Sequence, residues 1–174
     1  MSFRFTFGTV GSTTELNHTM DFILKQELKY PGYDKWANKT RKQIDSGEKT
    51  AIIALSEGKI VADIIYQQHK VLPRVRELKN LRVHKELGGR GFARFILRQA
   101  ESDRPDYDLI MGDARQGESE VISLMLTSGY TQIANANLYD RENNDIVFAK
   151  TFNRRTDSGL VYQAKDLILS QNLQ

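Results

Sequence analysis

Leu81-Arg82-Val83-His84-Lys85-Glu86-Leu87-Gly88-Gly89-Arg90-Gly91-Phe92-Ala93 reads as a strand, a short loop, a glycine-rich turn and the start of a helix. Glycines at a helix start let the backbone approach a ligand closely. The first N–H groups of a helix lack intrahelical partners, and the positive end of the helix dipole favours a phosphate there. The spacing predicts a helix over 89–101, with Phe92, Phe95, Ile96, Gln99 and Ala100 on one face. Arg90, Arg94 and Arg98 recur at every fourth position and give it a basic edge, suited to a phosphate or an acidic partner. The P-loop pattern G-x-x-x-x-G-K-[ST] is absent. So is G-x-G-x-x-G, because Gly89-Arg90-Gly91 is followed by Phe92-Ala93-Arg94.

Outward from this stretch the chain alternates helical and strand periods. Upstream, Phe3–Phe7 alternates apolar and polar residues, as a half-buried strand does. Ser12-Thr13-Thr14-Glu15 fits a capping box. Leu16, Met20, Ile23, Leu24 and Glu27-Leu28 continue at helical spacing up to Pro31-Gly32. Tyr33, Trp36, Thr40 and Ile44 predict a second helix, closed by Ser46-Gly47. Thr50–Leu55 and Ile60–Gln67, around Ser56-Glu57-Gly58-Lys59, predict a hairpin, and Arg76–Val83 a further long strand. Downstream come a strand at Tyr107–Asp113, a helix at Glu118–Ser128 with Gly129 as its cap, and a strand pair at Thr131–Tyr139 and Asp145–Phe152. The order β-α-α-β-β-β-α-β-α-β-β indicates an α/β or α+β class with one mixed sheet. After polar Arg154-Arg155-Thr156-Asp157-Ser158, the residues Leu160, Val161, Ala164, Leu167 and Ile168 mark an amphipathic helix, packing on its own sheet or on a second copy. The expected division is a domain over 1–152 and a helical extension over 153–174.

The glycine stretch resembles the acyl-coenzyme A loop of the GNAT acetyltransferases, V-x-P-x-x-[RQ]-G-x-G-x-[GA]. Val83, Gly89, Gly91 and Ala93 match in register, while Lys85 replaces the proline and Gly88 the Arg or Gln. The family's later N-x-x-[AS]-x-x-[LF]-Y-x-x-x-G-[FY] is met by Ser119, Ile122-Ser123-Leu124, Met125 and Gly129-Tyr130. The resemblance covers roughly residues 3–152 in element order and implies a GNAT fold: a mixed, mostly antiparallel sheet flanked by helices. It implies binding of acetyl-coenzyme A by Leu81, Arg82, Val83, Gly88, Gly89, Arg90, Gly91, Phe92, Ala93, Arg94 and Ser119. The pantetheine arm would pair with free backbone of Leu81–Val83, and the turn would hold the pyrophosphate. The implied reaction is direct transfer of the acetyl group to a primary amine. Glu77, six residues before Val83 on the same strand, is the expected base, with Asp63 on the preceding strand the alternative. The Val83 N–H is the expected donor to the thioester oxygen. Met125 stands where the family's acidic tyrosine is usual; Tyr130 and Tyr139 are nearby in sequence.

Composition bounds these readings. With 174 residues, one domain is expected. No cysteine is present, so disulfides and cysteine zinc sites are excluded. His18, His69 and His84 lack metal-ligand spacing, and no metal is expected. The N-terminus Met1-Ser2-Phe3-Arg4 shows no signal-peptide pattern, and no run approaches the ~18 apolar residues of a membrane span. A cytoplasmic protein without a membrane partner is the expectation, with a homodimer left open. Net charge is +3, which suits an anionic ligand. A nucleic-acid binder using Arg74, Arg76, Lys79 and Arg82 would lack the interleaved aromatics of single-strand stacking, so nucleic acid is not the expected partner. A non-catalytic acyl-coenzyme A-binding module is the other alternative. The acceptor amine is not legible, although Asp34, Glu48, Asp140, Glu142 and Asp145 could attract a cation.

Overall fold

Ser12 caps helix α1 (Thr13–Leu24): its hydroxyl accepts from the Glu15 N–H, and the Glu15 carboxylate accepts from the N–H groups of Gly11 and Ser12 at 2.9 and 3.2 Å. Those bonds hold the Glu15 carboxyl below its ordinary range. The computed structural model describes residues 4–26, 32–103, 107–152 and 157–171, the last stretch with side chains over 159–170. Phe3, Glu27-Leu28, Pro31 and Arg154–Thr156, read above as strand, helix, stop and polar tail, lie outside the described residues.

The remaining elements are β1 (Phe5–Thr9), α2 (Tyr33–Asp45), β2 (Lys49–Ser56), β3 (Lys59–Gln68), β4 (Val75–Val83), α3 (Phe92–Ser102), β5 (Leu109–Arg115), α4 (Ser119–Thr127), β6 (Thr131–Ala136), β7 (Asp145–Thr151) and α5 (Asp157–Gln171). This is the order read from the sequence, with the tail helix added. The class is a mixed α/β fold in which β1–β2, β2–β3, β5–β7 and β6–β7 pair antiparallel and β4–β5 pairs parallel.

The chain forms two compact units, residues 1–67 with 79–103, and residues 68–78 with 104–174. In the first the strand order is β1-β2-β3-β4, and in the second β4-β5-β7-β6, so β4 contributes its end to one and its start to the other.

In the first unit Glu57 and Gly58, at φ 51° and 74°, make the β2–β3 hairpin turn. Leu16, Met20 and Ile23 of α1 and Ala37 and Ile44 of α2 pack on Ala51 and Ile65, which are opposite one another on β2 and β3. Side chains alternate along a strand, so Asp63 shares the α1/α2 face with Ile65, and Tyr66 takes the other. There the Tyr66 hydroxyl bonds the Asp103 carboxylate at the end of α3. The buried face of α3 is Ile96, Leu97 and Ala100, which corrects the expected stripe. Phe95 is half-exposed and, with Phe92, packs against Phe5 and Phe7 of β1 at ring separations of 4.8–6.1 Å.

In the second unit Leu72, Val75, Leu109, Met111, Val147 and Ala149 form one core with Ala164 and Ile168 of α5. Leu160, Val161 and Leu167 flank it. Of the two packings open to the tail helix, the structure shows the one against its own chain. Met125 of α4 is buried, and a Cβ added at Gly112 of β5 would lie 3.1 Å from its methyl carbon. Glycine at 112 therefore makes room for methionine at 125.

Candidate functional site in the first unit

The end of β4, the glycine turn and the start of α3 form one continuous stretch. The His84 N–H donates to Val61 O at 2.7 Å, holding the strand end on β3. Lys85–Leu87 is a single 3-10 turn, capped by the His84 ring nitrogen. Gly89 and Gly91 have φ of 69° and 74°, a left-handed region that costs other residues roughly 1–2 kcal/mol each. Two left-handed residues cannot lie inside a right-handed helix. The helix therefore starts at Phe92, with Gly91 as its N-cap, and not at Gly89 as the spacing suggested. The first helical bond runs from the Phe95 N–H to Gly91 O at 3.2 Å, which leaves the N–H groups of Phe92 and Ala93 without an intrahelical acceptor. Nothing lies within 4 Å of where a Cβ would sit on Gly89 or Gly91. Torsion, not crowding, calls for glycine there, and the space over the turn is open to a ligand. Gly88 differs: at φ −58° its added Cβ would meet Lys85 O at 3.1 Å. Arg90, Arg94 and Arg98 are exposed, as the basic edge requires.

A second feature of this unit was only partly legible in the sequence. Asp63 is fully buried. Its Oδ2 accepts a 2.6 Å hydrogen bond from the Asn80 amide of β4. Burial pushes its carboxyl up to about 7, against the Asn80 bond and the Arg82 charge, which both pull it down. Arg82 stands two residues from Asn80 on the same face of β4, and its Nη1 donates to Leu81 O at 3.3 Å. The Tyr33 hydroxyl donates to Ile23 O at 2.8 Å. Its phenol is raised by burial and lowered by Arg82, so Arg82 acts on both Tyr33 and Asp63. The sequence offers Asp63 as an alternative base but does not reveal its meeting with Asn80, Tyr33 and the Arg82 side chain. The available signals were the charge inside Ala62-Asp63-Ile64 and the Asn80-x-Arg82 alternation.

Glu77, Ser119, Tyr130, Tyr139, Arg74 and Arg76 belong to the second unit. Glu77 Oε1 lies 3.5 Å from His69 Nε2, and His69 Nδ1 accepts from the N–H groups of Val71 and Leu72 at 3.1 and 3.0 Å. The β4–β5 ladder covers Val75–Glu77 opposite Leu109–Met111, while β4 itself continues to Val83. Ser119 is exposed in the first turn of α4, whose N-cap is Glu118, so Ser119 is not a cap. Tyr130 is buried, and the half-exposed Tyr139 donates to Asp113 Oδ2 at 2.8 Å. Arg74 is held on Asp108 by two bonds of 2.6 and 2.9 Å, and buried Arg76 lies 4.2 Å from the Tyr107 ring centre. Both have internal work to do, which detracts from a nucleic-acid surface. Among the described residues no cluster of three potential metal ligands occurs, and no helix is long and apolar enough to cross a membrane.

No protein-family model and no curated protein matches the sequence. Solved structures do match. A protein of Desulfovibrio desulfuricans assigned to the GNAT acetyltransferase family superposes with a TM-score of 0.75 at 10% identity, over 85% of this chain and 99% of its own. The ribosomal-protein-S18-alanine N-acetyltransferase of Escherichia coli follows at 0.70 and 19%, over 89% and 98%. A chimeric spermidine N-acetyltransferase built on the Vibrio cholerae protein follows at 0.66 and 14%, over 84% and 95%. With its element order, the glycine turn between β4 and α3, and superpositions that span nearly the whole of each relative, the chain has the GNAT acetyltransferase fold.

Proposed function

We propose that the chain is an N-acetyltransferase that moves the acetyl group of acetyl-coenzyme A directly to a primary amine. The observation that carries this reading is the turn Gly88–Ala93. It presents backbone N–H groups at a helix start, two left-handed glycines with open space above them, and an exposed arginine beside them. These features fit a pyrophosphate, whose charged oxygens take backbone N–H bonds stronger than neutral ones. Arg90 and Arg94 would add charge, and the backbone of Leu81–Val83 would pair with the amide-bearing arm. Bound acetyl-coenzyme A would supply the activated acyl group.

The residues then have two tasks. The Val83 N–H orients and polarises the thioester oxygen. A carboxylate removes a proton from the incoming ammonium. Asp63 suits this better than Glu77, because its ionisation near neutrality matches the task while Glu77 is engaged by His69. Glu77 is the alternative carboxylate for this proton. With the proton on Asp63, a C–N bond replaces the C–S bond and the second amine proton leaves with the thiol, so atoms and charge balance. Met125 supplies no acid, and positioning carries that step. Met125 also favours the alternative, a coenzyme A-binding module without turnover; thiol release over an amine panel separates the two.

Gly91→Val tests the reading. A β-branched residue at φ 74° would force the turn to change. Coenzyme A affinity by calorimetry should then fall at least tenfold, about 1.4 kcal/mol, in a variant still folded by circular dichroism. Wild-type affinity in that folded variant would make the turn purely structural.

A further inference from the structure

The polar cluster on the α1/α2 face of the first unit combines a buried acid and a guanidinium, each with one buried polar atom left unmatched. Asp63 Oδ2 is taken by Asn80, but its Oδ1 is buried with no hydrogen-bond partner. The Nε of Arg82 is in the same condition, although Nη1 is bonded to Leu81 O. A folded chain rarely leaves buried polar atoms unmatched unless something else completes them. Here one open group is an acceptor on β3 and the other a donor on β4, and neighbouring strands run about 4.8 Å apart. The cluster also has a reachable side. Asp63 and Asn80 are buried, whereas Arg82 and Tyr33 are only partly so. A ligand that completed both open groups would offer a donor to the acid and an anion to the guanidinium, which pairs with carboxylates through two parallel N–H bonds.

We propose that Tyr33, Asp63, Asn80 and Arg82 form the acceptor subsite, and that it takes an amino-acid-type acceptor, with a carboxylate on or next to the carbon that carries the amine. The inference rests on the acetyltransferase reading and adds its substrate class. The ammonium faces Asp63, which is where its proton must go, and the carboxylate faces Arg82. A polyamine is a poor fit. It brings a second positive charge to Arg82, and the carboxyl of Asp63 keeps its proton up to about 7, so the cluster is not a net anionic site at neutral pH. Sites built around hydrogen-bonding groups discriminate strongly against ligands that leave those groups unmatched.

The experiment uses the full chain and matched pairs of acceptors that differ only in the carboxylate: alanine with ethylamine, and phenylalanine with phenethylamine, with spermidine as the polycation. Thiol release from acetyl-coenzyme A gives kcat/KM, and calorimetry gives coenzyme A affinity separately. Each amino acid should exceed its decarboxylated partner, and spermidine, by at least tenfold. Arg82→Met should reduce that ratio to below about threefold. Should Arg82→Met not fold, Arg82→Lys replaces it, keeping the charge without the two-pronged contact, and should still cut the ratio. Coenzyme A binding with equal or reversed preference in the wild-type chain overturns the inference and leaves the acetyltransferase reading standing. A preference that survives in the folded Arg82 variant overturns the role given to that residue. Absence of coenzyme A binding overturns the acetyltransferase reading itself, and the acceptor subsite with it.

Discussion

Asp63 shows how much one residue's chemistry depends on its place. Among Ile60–Gln67 it is a single acid in an apolar strand, and its unfolded carboxyl titrates near 3.8. Buried in the fold, it titrates at about 7. The folded chain then binds a proton that the unfolded chain has lost. That contribution to stability is complete below about 3.8, declines as pH rises, and is gone once pH passes about 7. Asp63→Asn can still accept from Asn80 but cannot ionise. Its melting temperature should therefore change less between pH 5 and pH 8 than that of the wild type. If Asp63 also takes the amine proton, wild-type kcat/KM should rise with pH through about 7, and the Asn variant should lose on the order of a hundredfold. A variant with the wild-type pH–rate profile would return the role to Glu77.

At the scale of elements, the strand–turn–helix unit was legible because its punctuation is local. Glycine spacing marks a turn whatever surrounds it, and the capping box at Ser12–Glu15 needs only four consecutive residues. The helix start was misread by three residues because helical period alone cannot tell a left-handed Gly89 or Gly91 from a helical one. The buried stripe of α3 differs from the expected one for a related reason: Phe95 is apolar, yet it packs on Phe7 of edge strand β1 and stays half-exposed. Helix α4 yields a test. Because Met125 fills the space left by Gly112, Met125→Tyr should not restore an acid. It should overpack that contact and cost about 1–3 kcal/mol in urea unfolding. Unchanged stability with raised turnover would show that a hydroxyl at 125 reaches the reacting atoms.

At the scale of the whole molecule, α5 closes the core of the second unit. Ala164 and Ile168 lie against Leu72, Val75, Leu109 and Met111, so truncation before Asp157 would bare that face. We expect a loss of at least about 3 kcal/mol, roughly 10 °C in melting temperature for a chain of this size. An unchanged melting curve would mean the helix contributes no packing of consequence. Coenzyme A affinity should fall less than stability, because the glycine turn lies in the other unit.

Element order, turn positions and the glycine turn before α3 were determined by the sequence itself, because period, caps and glycine placement act over a few neighbouring residues. The packing of the tail helix on its own chain, the engagement of Glu77 by His69 and the meeting of Tyr33, Asp63, Asn80 and Arg82 were decided only by tertiary structure. These contacts join residues far apart in the chain, and burial, charge and hydrogen bonding acquire their magnitudes only once such residues share one environment.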